Sequence, residues 1–169
     1  MTKATLDVEL LLETLCRNTK TMIKQRNLTD PYIIGIRTGG VWLAEHLAQY
    51  LAIDAPVGVL DISFYRDDFS QQGLNTKAGA SSLPLPTEGR NILLVDDVLM
   101  TGRTIRGAMN ELFDFGRPNS ISLLTLVDIG ERELPIQADV IGGTLQLAAN
   151  EQVKLNGPAP LSLSISERE

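Results

Sequence analysis

Short apolar runs alternate along the chain with stretches that have the residue spacing of amphipathic helices. The apolar runs cover residues 32–36, 57–62, 92–95 and 121–127, and their lengths suit buried strands. The helical spacing covers residues 8–23, 43–51 and 105–113. This alternation predicts an α/β fold with a central, mostly parallel sheet flanked by helices. Functional residues in such folds follow the carboxyl ends of the strands.

A long polar stretch interrupts the alternation after the second apolar run. It begins at Arg66, Asp67 and Asp68, is rich in glycine and serine, and ends near Pro84 and Pro86. A loop of this length inside a compact domain is usually either functional or disordered, and the pattern alone does not choose between the two.

The pattern changes again beyond residue 128, where the apolar pieces become shorter. Residues 139–142 resemble a further short strand. Residues 152–155 and 161–165 lie on either side of Asn156 and Gly157, a turn-forming pair. They predict a β-hairpin at the edge of the sheet.

The residue composition limits the chemistry that the chain can perform. Its 169 residues, 43% of them hydrophobic, suit one globular domain spanning residues 1–169. Cys16 is the one cysteine, which excludes an intrachain disulfide and a cysteine-based zinc cluster. His46 is the one histidine, and its place within a predicted helix, away from the strand ends, argues against a histidine-based triad. A divalent metal would need oxygen ligands, which points to Mg²⁺. The formal net charge of −6 argues against a general nucleic-acid-coating protein.

The sequence also carries no targeting signal. No run approaches the roughly 20 apolar residues that a membrane-spanning helix needs, and the first residues lack the basic and apolar regions of a secretion signal. We therefore expect a cytoplasmic protein with no membrane contact.

The stretch 91–104 has the most specific pattern in the chain. An apolar strand leads into Asp96 and Asp97, and the turn 101–104 then opens a helix. The turn can direct backbone N–H groups and hydroxyls at a phosphate, while the acid pair can bind sugar hydroxyls directly or through Mg²⁺. This combination predicts a ribose-5-phosphate site. The alternative interpretation is a tight turn with solvated acids. We favour it less, because two adjacent carboxylates at a buried strand end cost free energy unless they bind a ligand.

The same stretch closely resembles the 5-phosphoribosyl pyrophosphate (PRPP) motif of type I phosphoribosyltransferases. It matches neither a Walker A loop nor a Gly-x-Gly-x-x-Gly fingerprint. The runs at residues 61–68, 116–118 and 127–128, followed by 132–136, narrow the resemblance to the PyrR family of bifunctional pyrimidine operon regulators and uracil phosphoribosyltransferases. The resemblance implies a type I phosphoribosyltransferase fold with a small hood and a C-terminal hairpin.

The resemblance also implies a role for each part of this site. It assigns pyrophosphate and phosphate binding to Arg37, Thr38, Gly39, Val98, Leu99, Thr101, Gly102, Arg103 and Thr104. It assigns catalysis to Arg37, Asp96 and Asp97, with the two aspartates also at the Mg²⁺ site. It assigns a mobile lid to the loop that starts at Arg66, Asp67 and Asp68, and base binding to Asp128, Ile129, Ile141 and Gly142.

The implied substrates are PRPP and uracil, and the implied product is UMP. Uracil is favoured because purine-type relatives carry a base-reading lysine, and no lysine lies between Lys77 and Lys154 here. The Tyr-Pro-x-Thr-Gly-Gly-Ser signature of the other uracil enzyme family is also absent. A homo-oligomer, either a dimer or a tetramer, is expected.

Two other functions stay open at this point. PyrR proteins bind RNA through basic residues after the fourth strand, and an RNA regulator with UMP and PRPP as effectors is therefore the main alternative. In this chain Ile129, Glu131 and Gln137 stand at positions that are commonly basic in the relatives, so RNA binding is expected to be weak. A phosphoacceptor receiver domain is less favoured, because its acid pair follows the first strand rather than the third.

Overall fold

Five parallel strands form the central sheet of the computed structural model, which describes residues 6–63 and 81–169. The strands are β1 (Tyr32–Ile36), β2 (Gly58–Leu60), β3 (Asn91–Leu99), β4 (Ser120–Asp128) and β5 (Val140–Thr144), in the spatial order β2-β1-β3-β4-β5. The predicted parallel sheet is thus confirmed. The predicted lid residues Arg66, Asp67 and Asp68 lie outside the described residues.

Three helices cover the two faces of the sheet in the described part of the chain: α1 (Val8–Gln25), α2 (Gly39–Tyr50) and α3 (Arg103–Phe115). Successive strand residues point to opposite faces. Leu93 therefore packs with α1 and α2 in one apolar core, while Leu94 packs with α3 in a second core. Because both faces are covered, the strands are apolar throughout rather than alternating, as is usual for parallel sheets.

The C-terminal hairpin is present but lies elsewhere than predicted. The antiparallel strands β6 (Glu151–Asn156) and β7 (Ser162–Glu167) form a separate two-stranded sheet, so the expected position at the edge of the main sheet was wrong. Leu155 packs into the core beneath α1 and α2, and a Cβ on Gly157 would lie 2.8 Å from the Trp42 ring. These contacts hold the hairpin against α2 as a small hood.

Two further details differ from the sequence pattern. Strand β3 continues to Leu99 instead of ending before the acid pair. Phe113, the last residue of the apolar helical spacing 105–113, is 58% exposed. Ile105, Ala108 and Leu112 define the buried side of α3, and residue 113 lies about 100° further round the helix. Within residues 6–63 and 81–169, no helix is both long and apolar enough to cross a bilayer.

Candidate active site

A cavity of about 630 Å³ lies at the carboxyl ends of the central strands. Parallel sheets of this kind bind ligands at that edge. Segments distant in sequence form its walls: the turn after β1, the end of β3, the loop before α3, the chain after β4 and the hairpin. The lining residues are Arg37, Thr38, Asp96, Asp97, Val98, Met100, Thr101, Arg103, Thr104, Ile129, Gln152, Val153 and Arg168.

The acid pair is held rigidly within β3. The Asp97 N–H donates to Oδ1 of Asp96 at 2.9 Å, and the Val98 N–H donates to Oδ1 of Asp97 at 2.8 Å. Asp96 is only 6% exposed, whereas Asp97 is more open to the cavity. Each carboxylate therefore has a fixed orientation before any ligand arrives.

The turn after β1 packs directly against this acid pair. A Cβ on Gly39 would lie 2.5 Å from Oδ2 of Asp97, and one on Gly40 would clash with the Val95 carbonyl oxygen. Real Cβ atoms do not approach so closely, so the glycines allow the turn and the acids to touch. The neighbouring Arg37 and Thr38, joined by a cis peptide bond, line the cavity.

The loop before α3 has the features of an anion-binding helix start. Gly102 has a left-handed backbone with φ +93°, which favours glycine, and no side chain caps the helix at this residue. Thr101 Oγ1 accepts the Arg103 N–H at 3.1 Å. The first turn of α3 therefore presents backbone N–H groups and the positive end of the helix dipole to the cavity.

Arg132 holds the chain after β4 against this loop. Its guanidinium donates to both carboxylate oxygens of Asp128, at 3.0 and 2.6 Å, and to the carbonyl oxygens of Met100 and Ile136, at 2.9 and 2.6 Å. The N–H groups of residues 133 and 134 donate to the Thr101 carbonyl oxygen at 3.0 and 3.1 Å. Nothing near Arg132 in the sequence indicates this role, because its four acceptors come together only in the folded chain.

The hairpin also contributes cavity residues that the sequence pattern does not indicate. Gln152 and Val153 of β6 and Arg168, directly after β7, form the wall beside Ile129. The Arg168 guanidinium donates to Oε2 of Glu131 at 3.1 Å and to the Glu151 carbonyl oxygen at 2.7 Å. These contacts join the hood to the chain after β4.

Comparison with known proteins identifies the family of this site. The sequence model of the family described as phosphoribosyl transferase domain matches residues 8–158. The Bifunctional protein PyrR of Pseudomonas fluorescens is 52% identical over 157 residues, which is 93% of this chain and 94% of that protein. Its counterpart in Pseudomonas putida is 54% identical over 153 residues, covering 90% and 89%. The chain belongs to the PyrR family of phosphoribosyltransferases. The receiver-domain alternative is thereby excluded.

Solved structures agree with this assignment at the level of the fold. A hypoxanthine phosphoribosyltransferase from Staphylococcus aureus superimposes with a TM-score of 0.63 at 20% identity, over 86% of this chain and 78% of that one. A hypoxanthine-guanine phosphoribosyltransferase from Bacillus anthracis gives 0.64 at 20% identity, over 85% and 84%. The PyrR-family chain therefore has the predicted type I phosphoribosyltransferase fold.

The predicted phosphate-binding residues mostly meet at the cavity of this PyrR-family protein. Arg37, Thr38, Val98, Thr101, Arg103 and Thr104 line it, while Gly39 and Gly102 shape its turns. Leu99 is different: its side chain is buried in the core on the α3 side, and its carbonyl oxygen accepts the Ile129 N–H at 3.0 Å. This placement does not favour the predicted contact between the Leu99 side chain and phosphate, which stays a prediction.

The four predicted base-binding residues are not brought together. Ile129 lines the cavity, but the Asp128 carboxylate faces Arg132 and its carbonyl oxygen accepts the Leu145 N–H at 3.0 Å. Gly142 packs against α1, because a Cβ there would lie 2.7 Å from the Leu11 carbonyl oxygen. Ile141 lines a separate hollow. A part in base binding for Asp128, Ile141 and Gly142 stays a prediction.

The residues of the cavity suit a magnesium ion that is shared with a substrate. Among residues 6–63 and 81–169, no group of three or more histidine, cysteine or acidic side chains is arranged to hold a metal by itself. Asp96 and Asp97 offer oxygen ligands only. Mg²⁺ in phosphate-transferring sites is commonly held by one or two carboxylates, water and the substrate phosphates, and this donor set fits that arrangement.

The Asp128–Arg132 pair predicts a pH-dependent contribution to stability. The hydrogen bonds from Arg132 lower the pKa of Asp128 below its ordinary value of 3.8. The stabilisation is therefore complete above that value and is lost as the pH falls through the lowered pKa. We expect Asp128→Asn to reduce the free energy of unfolding at pH 7 by about 2 kcal/mol, the scale of a hydrogen bond to a charged group.

Urea unfolding of both proteins at several pH values measures this contribution. The difference between wild type and variant should shrink steadily as the pH falls below about 4. The exposed pair Glu13–Arg17, with a separation of 3.9 Å, supplies the control. Glu13→Gln should change stability by less than about 0.5 kcal/mol. A difference for Asp128→Asn that is constant with pH would contradict the role of its charge.

Proposed function

We propose that this protein is a uracil phosphoribosyltransferase, which makes UMP and pyrophosphate from uracil and PRPP with Mg²⁺. The observation that carries the proposal is the meeting of three anion- or hydroxyl-binding elements in one cavity: the turn at Arg37 and Thr38, the acid pair, and the loop 101–104. PRPP has three matching groups: its pyrophosphate suits the turn, its ribose diol suits the acid pair, and its 5-phosphate suits the loop 101–104.

The proposed binding mode gives each element one task. The loop 101–104 and the N-terminus of α3 hold the 5-phosphate as an anchor that fixes the position of the ribose. Asp96 and Asp97 accept hydrogen bonds from the ribose hydroxyls. Arg37 and Thr38 contact the pyrophosphate, whose negative charge increases as it leaves. Mg²⁺, held by the acid pair and the substrate oxygens, would supply Lewis-acid stabilisation of that leaving group.

The reaction is a displacement at C1′ of the ribose. N1 of uracil forms a bond to C1′ as the bond from C1′ to the pyrophosphate oxygen breaks, and N1 loses its proton. The ring gains positive charge as this oxygen leaves, and the carboxylates of Asp96 and Asp97 stabilise that charge electrostatically. We assign no general base for the N1 proton.

The position of the base follows by elimination. Once the phosphates and the ribose occupy their elements, the remaining lining residues among those that the structure describes are Val98, Met100, Ile129, Gln152, Val153 and Arg168. Uracil as the base rests on the resemblance to the PyrR family and on the missing lysine between Lys77 and Lys154. The assay that tests this function measures uracil consumption with PRPP, with and without Mg²⁺. Consumption of guanine or hypoxanthine in place of uracil would overturn the choice of base.

Ligand binding provides a second test of the base. UMP at millimolar concentration should raise the melting temperature, because a ligand that binds only the folded state stabilises it by about 2.7 kcal/mol at a hundred times its dissociation constant. The measurement is a thermal unfolding series with UMP, GMP and ribose-5-phosphate. A shift with GMP and none with UMP would show that the protein prefers a purine nucleotide.

An RNA-binding regulator is the second candidate, because the Pseudomonas relatives carry the name Bifunctional protein PyrR. Cations around residues 128–139 already face carboxylates: Arg26 faces Asp139, Arg103 faces Glu133, Arg132 faces Asp128, and Arg168 faces Glu131. These four ion pairs reduce the positive potential available to a phosphate backbone, so the enzyme function has the stronger support. A cytoplasmic location, a single domain and a homo-oligomer stay predictions from the sequence.

A further inference from the structure

Asp61 lies directly after β2, beside the turn that we assign to pyrophosphate. The Arg37 N–H donates to the Leu60 carbonyl oxygen at 2.9 Å, so the main chain of the turn is joined to the end of β2. The side chains repeat this contact, since Oδ2 of Asp61 lies 3.7 Å from Nη1 of Arg37. Asp61 is 10% exposed, whereas Arg37 is 41% exposed towards the cavity.

The Asp61 carboxylate is itself held in place. Its Oδ1 accepts the Ser63 N–H at 3.1 Å and the Ser63 hydroxyl at 2.7 Å, which leaves Oδ2 directed at Arg37. Its main-chain N–H donates to Ser81 Oγ at 2.9 Å. Two hydrogen bonds between Val59 and Ser82, both 2.8 Å, keep Ser81 beside Asp61.

Glu111 completes this arrangement from helix α3. Its Oε1 accepts the hydrogen bond from the Ser81 hydroxyl, while its Oε2 is buried without a hydrogen-bond partner among the described residues. Burial raises the pKa of Glu111, and the carboxylates of Asp61 and Asp114 add to the rise. A half-satisfied buried carboxyl is costly to fold. The hydrogen bond with Ser81 therefore explains a glutamate at position 111 better than packing does.

We infer that Asp61 is a positioning residue for Arg37. Ser63 fixes the Asp61 carboxylate, while Ser81, which is bonded to Glu111, fixes the Asp61 main chain. This inference rests on the proposed function, because it needs pyrophosphate at Arg37. Helix α3 begins at the loop 101–104 and carries Glu111. Glu111 contacts Ser81, Ser81 contacts Asp61, and Asp61 contacts Arg37. They join the element assigned to the 5-phosphate to the element assigned to the pyrophosphate.

Two effects of Asp61 on an anionic ligand oppose each other, which makes the inference testable. The carboxylate restricts the long Arg37 side chain, and this lowers the entropy cost of forming its bonds to pyrophosphate. Its negative charge also weakens the positive potential at the site. If Asp61 acts mainly by positioning, its loss weakens PRPP binding. If it acts mainly as a charge, its loss strengthens PRPP binding.

We expect Asp61→Asn to weaken binding of PRPP with Mg²⁺ about tenfold, within the range of coupling measured between contacting residues. Isothermal titration calorimetry without any base measures this directly. Steady-state kinetics should show the KM for PRPP raised and the KM for uracil unchanged. Ser81→Ala should act in the same direction with a smaller effect. Asp54→Asn, at an exposed acid between α2 and β2, is the control for loss of one negative charge.

A double-mutant cycle with Arg37→Ala separates positioning from a general structural effect. We expect Asp61→Asn to change kcat/KM for PRPP by less than about twofold when Arg37 is already alanine, because its partner is gone. The ratio can be measured without saturation, so weak binding does not prevent the comparison. Equal effects of Asp61→Asn in both backgrounds would overturn the inference, as would unchanged or tighter PRPP binding by the single variant. Failure of the wild type to bind PRPP would instead overturn the proposed function.

Discussion

Replacement of Asp97 by asparagine is expected to lower kcat for UMP formation at least about a hundredfold while the protein stays folded. The asparagine has the same shape, and its Oδ1 can still accept the Val98 N–H that Asp97 accepts at 2.8 Å. What disappears is the negative charge that the proposed binding mode puts beside the ribose ring, which gains positive charge in the transition state. The measurement is UMP formation under saturating PRPP and uracil, together with a circular dichroism melting curve.

The control for this experiment is an aspartate outside the cavity. Asp54→Asn removes one negative charge from an exposed position after α2 and should leave kcat within about twofold of wild type. An Asp97→Asn protein that melts normally and turns over at the wild-type rate would show that the acid pair does not act at the reacting ribose.

Specific RNA binding is expected to be micromolar or weaker at physiological salt. Ile129, Glu131 and Gln137 place one acid and no cation where RNA-binding relatives are commonly basic, and the four ion pairs already engage the arginines nearby. The net charge of −6 opposes RNA approach at long range. Each missing phosphate contact also removes roughly one unit from the slope of log affinity against log salt. Filter binding of pyrimidine leader RNA across a salt series measures both the affinity and the slope of log affinity against log salt.

An unrelated RNA of equal length is the control, with and without UMP. We expect little difference between the two RNAs and a shallow dependence on salt. Nanomolar binding of the leader alone, strengthened by UMP, would overturn the prediction. The predicted basic surface would then move to α1 and the residue that caps it, where Arg17, Lys20, Lys24 and Arg26 are exposed. The charge reversals Lys20→Glu and Lys24→Glu would locate it.

Local periodicity was sufficient to predict most of the fold. The predicted strand 32–36 has the same bounds as β1, and the polar Thr19 that interrupts the apolar stripe of α1 is fully buried, as its position in the stripe requires. Such patterns are readable because buried faces recur every two residues in strands and about every 3.6 in helices. The second strand is shorter than predicted, since its pairing with β1 stops at Leu60 and Asp61 then turns towards Arg37.

The site was predicted only where its residues are close in sequence. Residues 96–104 form one continuous motif, and most of them meet at the cavity. The wall beside Ile129 comes from a hairpin near residues 152 and 168, and nothing local to those residues indicates which part of the sheet they cover. Arg132 is similar, because its partners extend from Met100 to Ile136 and become neighbours only after folding. Tertiary contacts of this kind have no signature in a single sequence.

Strand β3 carries Asp96 and Asp97 within its hydrogen-bonded length rather than on a loop beyond it. Carboxylates on a mobile loop have to be ordered when the substrate arrives, which costs roughly 0.5–1.5 kcal/mol for each side chain that is immobilised. Here folding has already ordered them, because each carboxylate accepts the N–H of the residue that follows it. In the proposed reaction, little reorganisation is then left for the chemical step, and binding energy from the phosphates can be used to stabilise the transition state.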